Sequence, residues 1–365
     1  MNKEIITTRQ SISLLTIFMI GAAIILSPGK EAGKDIWIAI LFAGLLGLPM
    51  IFVHTRLLRI FPGDDLFDIQ QKAFGKVIGK VISCFYIWFA FHLGSLVLRN
   101  FSEFIQVVSL QETPQFPVLI IMVILCIWAV KSGIEVLGRW AAFFLPLFLF
   151  IVIGLTFLSI PDMDLDNIRP VLYDGISPVL NGTASLFAFP FAEPVLFTMV
   201  FNSLKAKDKT LKAYIISMLI TGGVLITVSV RNILVLGLQN FTIIFFPSYS
   251  SASIITIGDY FGRIEALSGT IFFFAEFVKA SVSLYIASKG FAKILNFSHY
   301  NQLAAPIGLL MVCMATFVYS STMEMFDWAS EIYKYYVLPF YVIIPLITLI
   351  VIEIKVRRNK SSNKQ

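Results

Sequence analysis

Apolar residues in this chain come in long runs. Positions 36–53, 143–160, 211–230 and 341–352 are almost free of charge, and the longer of these approach the ~20 residues that carry a helix across a bilayer core. Inside hydrocarbon every backbone N–H and C=O must be bonded within the chain, so such runs read as helices. The apolar-polar alternation of a membrane barrel strand is absent. Charge breaks divide the chain into ten predicted spans, near 11–29, 36–55, 77–108, 117–131, 140–160, 177–203, 211–237, 264–288, 302–321 and 334–354. The third exceeds one perpendicular crossing and is predicted to tilt or project beyond the membrane. The longest stretch outside the spans, 237–262, contains Phe245-Phe246-Pro247 and several serines. It is predicted to dip back as a short re-entrant or amphipathic piece. The tail 360–365 is predicted to be disordered. No soluble domain is left over, so residues 1–365 form a single transmembrane domain.

Composition agrees with this pattern. Hydrophobic residues make up 58% of 365 and charged residues 14%, against about 45–50% and about 25% in a soluble domain. The expected class is therefore an all-α integral membrane protein. Charge then orients it. With the N-terminus in the cytoplasm, twenty of the 28 Lys and Arg residues fall in cytoplasmic segments and helix ends, seven in outer segments and outer helix ends, and Lys279 alone is left in the interior of a span. Under the positive-inside rule both termini are cytoplasmic. The basic balance reads as a topology determinant facing anionic lipid, and not as a nucleic-acid signal. Lys3 and Arg9 precede the apolar run 12–26 as they would in a signal peptide. However, Pro28 and Gly29 stand where a small-residue cleavage site would be, and many spans follow. Cys84, Cys126 and Cys313 lie scattered in apolar runs without the spacing of a disulfide or metal framework.

Two spans break their own helical pattern. The first ends Gly21-Ala22-Ala23-Ile24-Ile25-Leu26-Ser27-Pro28-Gly29, and Pro28 has no N–H to give the Ile24 carbonyl. The sixth contains Phe187-Ala188-Phe189-Pro190-Phe191-Ala192-Glu193-Pro194, two prolines four residues apart with an acid between them. Either both are ordinary proline kinks, which membrane helices tolerate, or both are unwound. The two spans stand five apart in a chain of ten, so each opens a five-helix half. Paired interruptions at corresponding places point to an inverted-repeat transporter core with its site between them. Half-helix N-termini at such breaks suit a carboxylate, and freed carbonyls suit an ammonium group. A zwitterionic amino acid satisfies both. The candidate ligand residues are Gly21, Ala22, Ala23 and Ile24 on the first span and His92 and Leu93 on the third. Phe187, Phe189, Pro190 and Glu193 on the sixth and Lys279 on the eighth complete the set.

Glu193, Glu276 and Lys279 are ionisable groups placed well inside the membrane, each costing several kcal/mol if unpaired. Glu276 and Lys279 are three residues apart on one helix face and are expected to form a charge pair. That pair is either purely structural, or Lys279 supplies a fixed positive charge to the site. His92 is read as a hydrogen-bonded packing residue or a ligand contact. Arg99 and Glu103 read as an exposed pair of little energetic worth. The three histidines are dispersed, without metalloprotease spacing, and neither a phosphate-binding glycine loop nor an extramembrane catalytic domain is present. An enzyme is not expected, nor a cofactor.

The break 21–29, Phe61-Pro62-Gly63, Phe74-Gly75-Lys76, Gly175-Ile176-Ser177-Pro178, Glu193 and above all Asn167-Ile168-Arg169-Pro170-Val171-Leu172 carry a family resemblance. The chain resembles the B subunits of bacterial spore germinant receptors, the endospore germination permeases of the amino acid–polyamine–organocation superfamily. The resemblance covers essentially the whole chain. It implies a leucine-transporter-like fold of five-plus-five inverted repeats with helices one and six broken. It also implies a bound germinant, commonly an amino acid, and a place in the spore inner membrane beside an A-type subunit and a lipoprotein C-type subunit. Three functions fit a chain of this kind: a germinant-sensing receptor subunit, a secondary amino acid transporter proton-coupled through Glu193 or Lys279, and a core that only packs partners. A sensor must also bind and shift populations, so the residues leave sensing and transport open, while the resemblance favours the receptor.

The charge count yields a labelling prediction. Single cysteines replacing Ser361 and Asp208 should react with an impermeant thiol reagent only from the cytoplasm, and those replacing Asp164 and Asp327 only from outside. Cytoplasmic labelling of Asp164→Cys would sink the assignment.

Overall fold

Thr7 opens the first helix. Its hydroxyl accepts from the Gln10 N–H at 3.3 Å, and the Gln10 side chain accepts the Thr7 N–H at 2.7 Å. This capping box satisfies two orphan donors at the start of α1 (Thr8–Ile20). Ser11, Ser13 and Thr16 are as buried there as Leu14, Ile17 and Phe18, so α1 is enclosed on every side by protein. After a break at Gly21 the chain resumes as α2 (Ala23–Leu26) and then α3 (Ile36–Ile60). A second capping box, Asp65 with Asp68, starts the amphipathic α4 (Leu66–Phe74), which leads into the long α5 (Lys76–Val108). α6 (Gln115–Ser132) and α7 (Ile134–Leu158) are separated by Gly133 alone, whose φ of 91° allows the chain to reverse there without a side-chain clash.

The second half comprises α8 (Ser177–Leu186), α9 (Thr210–Ile243), α10 (Pro247–Ser253), α11 (Glu265–Leu295), α12 (Asn301–Phe317), α13 (Thr322–Asp327), α14 (Tyr333–Tyr336) and α15 (Ile344–Ser362). The computed structural model describes residues 4–255 and 263–362, with side chains as far as residue 358. Among these, eight helical runs are long and apolar enough to cross a membrane: Thr8–Leu26, Lys30–Ile60, Lys76–Val108, Gln115–Ser132, Ile134–Leu158, Lys207–Ile243, Glu265–Leu295 and Thr322–Arg358. Asn301–Phe317 is apolar but shorter. The predicted sixth span is no continuous helix. α8 passes into a wide turn at Phe187–Phe191, and tight turns at Glu193–Met199 and Phe201–Ser203 complete it. The last run is longer than expected because wide turns at Trp328–Ile332 and Pro339–Ile343 keep the chain helical past Asp327 and Glu331. Of the predicted tail, 360–362 continue α15 and 363–365 lie outside the described residues.

α1 and α11 form the centre, with α5, α7 and α9 packed around them. The start of α1 and the later part of α15 lie on one face. Ile6 bridges to the end of the broken sixth span, donating to Ser203 O at 2.8 Å and accepting from Lys205 N at 2.9 Å. Lys289 and Lys293 of α11 hold the buried Asp65 at 3.0 and 2.7 Å. Burial opposes ionisation of Asp65, but the two ammonium groups keep its carboxyl below the usual value.

On the opposite face, α10 lies within the stretch 237–262 predicted to dip back, whose residues 256–262 lie outside the described residues. The buried Arg231 of α9 holds it, donating to Ser248 O at 3.3 Å and Ser251 Oγ at 3.1 Å and to Asn232 Oδ1 at 2.9 Å. No carboxylate among the described residues pairs with this guanidinium. Ser248 also takes a hydrogen bond from Asn232 Nδ2 at 2.9 Å and donates its own to Ile24 O.

Arg99 and Glu103 are not the exposed pair expected. Their side chains are buried, 2.7 Å apart. α12 and the start of α13 cover them: Arg99 donates to Ala315 O at 3.3 Å, and Glu103 accepts from Gln115 at 2.6 Å and Thr322 at 2.5 Å. Spacing along one helix does not reveal a neighbour that packs over it. Removing one partner of a buried pair leaves the other charge unsatisfied and costs about 3–5 kcal/mol. Glu103→Ala should therefore lower thermal stability in detergent clearly, while Arg56→Ala, which breaks the exposed Arg56–Glu353 pair, should stay within error of the unmodified protein.

Candidate functional site

The first break is built by Gly21, with φ 20° and ψ −127°. A Cβ there would stand 2.7 Å from Lys279 Cδ and 3.5 Å from Glu276 Oε1. The bare backbone is what lets α11 press against the end of α1. α2 then runs one turn and stops at Ser27, whose φ is 50°. The carbonyl of Ile24, which Pro28 cannot serve, accepts from Ser248 instead. That freed acceptor is therefore occupied by the protein.

The second break turns at Phe189, where φ −146° and ψ 110° leave the helical region. The Phe189–Pro190 peptide is cis, and the Ala192 N–H reaches back to Phe187 O at 2.8 Å. The turn aims Glu193 at α11. Lys279 Nζ lies 2.8 Å from Glu193 Oε1 and 2.7 Å from Oε2, with both side chains fully buried. The ammonium also sits 4.3 Å from the centre of the Phe189 ring and 5.3 Å from that of Phe18, within cation–π range. Tyr333 OH stands 3.5 Å from Glu193 Oε1 and 3.2 Å from Tyr341 OH.

The expected Glu276–Lys279 pair is thus not formed. Both Glu276 oxygens are buried without a hydrogen-bond partner among the described residues. A carboxylate arriving from across the bundle offers both its oxygens to the ammonium, whereas a neighbour three residues back offers only helix-surface geometry.

Above the pair opens a cavity of about 340 Å³, in the range of small-ligand pockets. Lys279, Glu193, Phe189 and Ala22 form its floor, and Leu93, Leu96 and Val97 of α5 one wall. It reaches Lys30, Glu31, Asp327 and Glu331 on the face opposite the start of α1. Of the residues predicted for the site, Ala22, Leu93, Phe189, Glu193 and Lys279 line this cavity. Gly21 stands behind the Lys279 stem. Ala23, Ile24, Phe187 and Pro190 do not line it. His92 packs instead in an aromatic cluster, stacked on Trp88 at 5.6 Å and edge-on to Trp328 and Tyr336 at 5.8 and 5.3 Å, and its buried Nδ1 has no hydrogen-bond partner among the described residues.

Sequence reasoning missed Tyr333 and Trp328, which close the cavity from the last helical run. The dense aromatics between 333 and 341, interrupted by Pro339, were the available signal.

With this geometry in place, comparison with known proteins is direct. Residues 5–325 match the spore permease family model, described as spore germination protein. Spore germination protein KB of Bacillus subtilis (strain 168) is 29% identical over 371 aligned residues, covering 100% of this chain and 99% of that protein. Spore germination protein A2 of the same organism is 27% identical over 198, covering 53% and 54%. Among solved structures, MhsT in complex with L-phenylalanine superposes with a TM-score of 0.68 at 13% identity, covering 96% of this chain and 99% of MhsT. A substrate-bound Na+-coupled sialic acid symporter also gives 0.68, at 11% identity, covering 96% and 89%. At such identities the shared feature is the fold, that of the leucine-transporter class. The paired broken helices and the match along most of the chain lead to one assignment: the chain belongs to the spore germination protein family and is a multi-pass α-helical membrane protein of leucine-transporter fold.

Proposed function

We propose that this chain is the germinant-sensing membrane subunit of a spore germination receptor. It binds a small amino-acid-like nutrient between broken helices one and six and signals to A-type and lipoprotein C-type partner subunits. The observation that carries this reading is the cavity of about 340 Å³ floored by the buried Lys279–Glu193 pair. An amino acid is small enough for that volume. Its ammonium group matches the Glu193 carboxylate on the floor and its carboxylate the Lys30 cation in the lining, a match that an apolar solute or a large anion lacks. A ligand there touches both broken segments, so one that prefers one arrangement of them shifts the population toward it. We assign the chain as one domain of ten spans in the spore inner membrane, with both termini cytoplasmic and the cavity open to the outer side. Proton-coupled amino acid transport is the second reading, favoured by the fold shared with a sialic acid symporter. Uptake of radiolabelled amino acid into vesicles bearing this chain alone separates the two.

Germination of spores carrying variants, with protein abundance measured in the same strains, tests the site. Gly21→Leu should abolish the response to nutrient, since its side chain must displace Lys279 from the cavity floor. Lys279→Met alone and Glu193→Gln alone should each reduce abundance by leaving a buried group unpaired. The double variant should recover abundance, as expected when both charges of a buried pair are removed together, yet stay unresponsive. A double variant that germinates fully would refute the site.

A further inference from the structure

The mechanism above leaves one group unused. Glu276 is fully buried at the centre of the bundle, its two oxygens have no partner among the described residues, and it lies three residues before Lys279 on the same helix. A buried carboxyl without a partner carries the desolvation cost of its polar atoms with nothing to offset it, so its presence calls for an explanation beyond packing. The charged groups that act on it are Lys279 and Glu193.

Gly21 connects the three. The point where its Cβ would stand is 2.7 Å from Lys279 Cδ and 3.5 Å from Glu276 Oε1. The lysine stem therefore packs directly on the bare Gly21 backbone, with the idle carboxyl beside it. From Cδ the ammonium is two bonds further on, and rotation about the Cγ–Cδ and Cδ–Cε bonds moves it between neighbouring acceptors. In this structure Nζ is on Glu193, whose carboxylate lines the cavity.

We propose that Lys279 exchanges partners on ligand binding: the primary ammonium group of the ligand takes over Glu193, and Lys279 turns past Gly21 onto the carboxyl of Glu276. The proposal rests on the cavity being the nutrient site and adds the ligand class it selects, a primary ammonium compound. In the empty site Lys279 neutralises Glu193, so the floor offers no unpaired charge to water. When the ligand ammonium arrives, Glu276 supplies a waiting acceptor, and the displaced lysine is not stranded in a low-dielectric interior. A ligand with a hydroxyl in place of its ammonium cannot compensate Glu193 and leaves the original pair closed. Glu276 thus acts through Lys279 and touches no ligand atom: it is a positioning residue for specificity.

The test uses the purified full-length protein in detergent, with calorimetric binding of the common L-amino acids and, for each that binds, the corresponding 2-hydroxy acid, such as L-lactate for L-alanine. The unmodified protein should bind the amino acid at least about tenfold more tightly than its hydroxy analogue. Glu276→Met removes the unsatisfied carboxyl, so its thermal stability should equal or exceed that of the unmodified protein, while amino acid affinity falls by at least about tenfold toward that of the hydroxy acid. A loss of binding that accompanies undiminished stability is not what a merely structural carboxyl would give. Glu276→Gln keeps one acceptor oxygen and should lose less. If the Met variant fails to accumulate, the Gln variant carries the test. Unchanged amino acid affinity in the variant that carries the test overturns the exchange and leaves the cavity reading standing. Failure of every amino acid to bind the unmodified protein overturns the cavity reading and the exchange together.

Discussion

A backbone polar group in hydrocarbon must find its partner inside the protein, and this constraint decides where the chain can be irregular. The two interrupted segments are tolerated because neither faces lipid. Gly21 and α2 are enclosed by α9, α10 and α11, and the turn at 187–191 lies against α1, α3 and α14. Substitutes are at hand for the lost helical bonds. Ser248 serves the carbonyl of Ile24, and the Ala192 N–H takes that of Phe187. Irregular backbone at membrane depth is confined to protein interior and cavity lining, and here the cavity and the irregular backbone coincide.

The same constraint governs side chains. Lys279 and Glu193 survive at the centre because they face each other with two short contacts and because the ammonium rests on aromatic faces. Neither contact is local in sequence: the partners stand 86 residues apart. A buried pair of this kind is weak evidence for stability but strong evidence for geometry, since desolvation makes any looser arrangement costly. It fixes how the broken sixth segment approaches α11, and through that the shape of the cavity floor.

What could be read from the sequence divides along the same line. The breaks were legible because proline and glycine act on the backbone within four residues, whatever the surroundings. Membrane class and family were legible for similar reasons, since apolar runs and short motifs are properties of contiguous chain. The partner of Lys279 was not, because the three-residue spacing to Glu276 is visible in the sequence while the backbone turn at Phe189 that delivers Glu193 is a tertiary outcome. Arg99 and Glu103 were misread as exposed for the same reason: α12 and α13 cover them from more than two hundred residues away. Tyr333 escaped because the charges of Asp327 and Glu331 suggested a loop where the chain is helical. The rings around His92 come from a distant helical run, which its own helix could not reveal.

The tie between Ser248 and Ile24 has a mechanical meaning. Ser248 is held in place by Asn232, and the segment it belongs to is gripped by a guanidinium that has only neutral dipoles for company. Peeling α10 away would strip a carbonyl at the tip of the first helix of its partner and leave the positive charge on α9 with Asn232 alone, in one movement. The two losses come together, so α10 and the helix-one tip are held as one unit. A pull on α10 from outside the bundle would be felt at the helix-one tip, two residues from Ala22 in the cavity lining, without passing through the ligand.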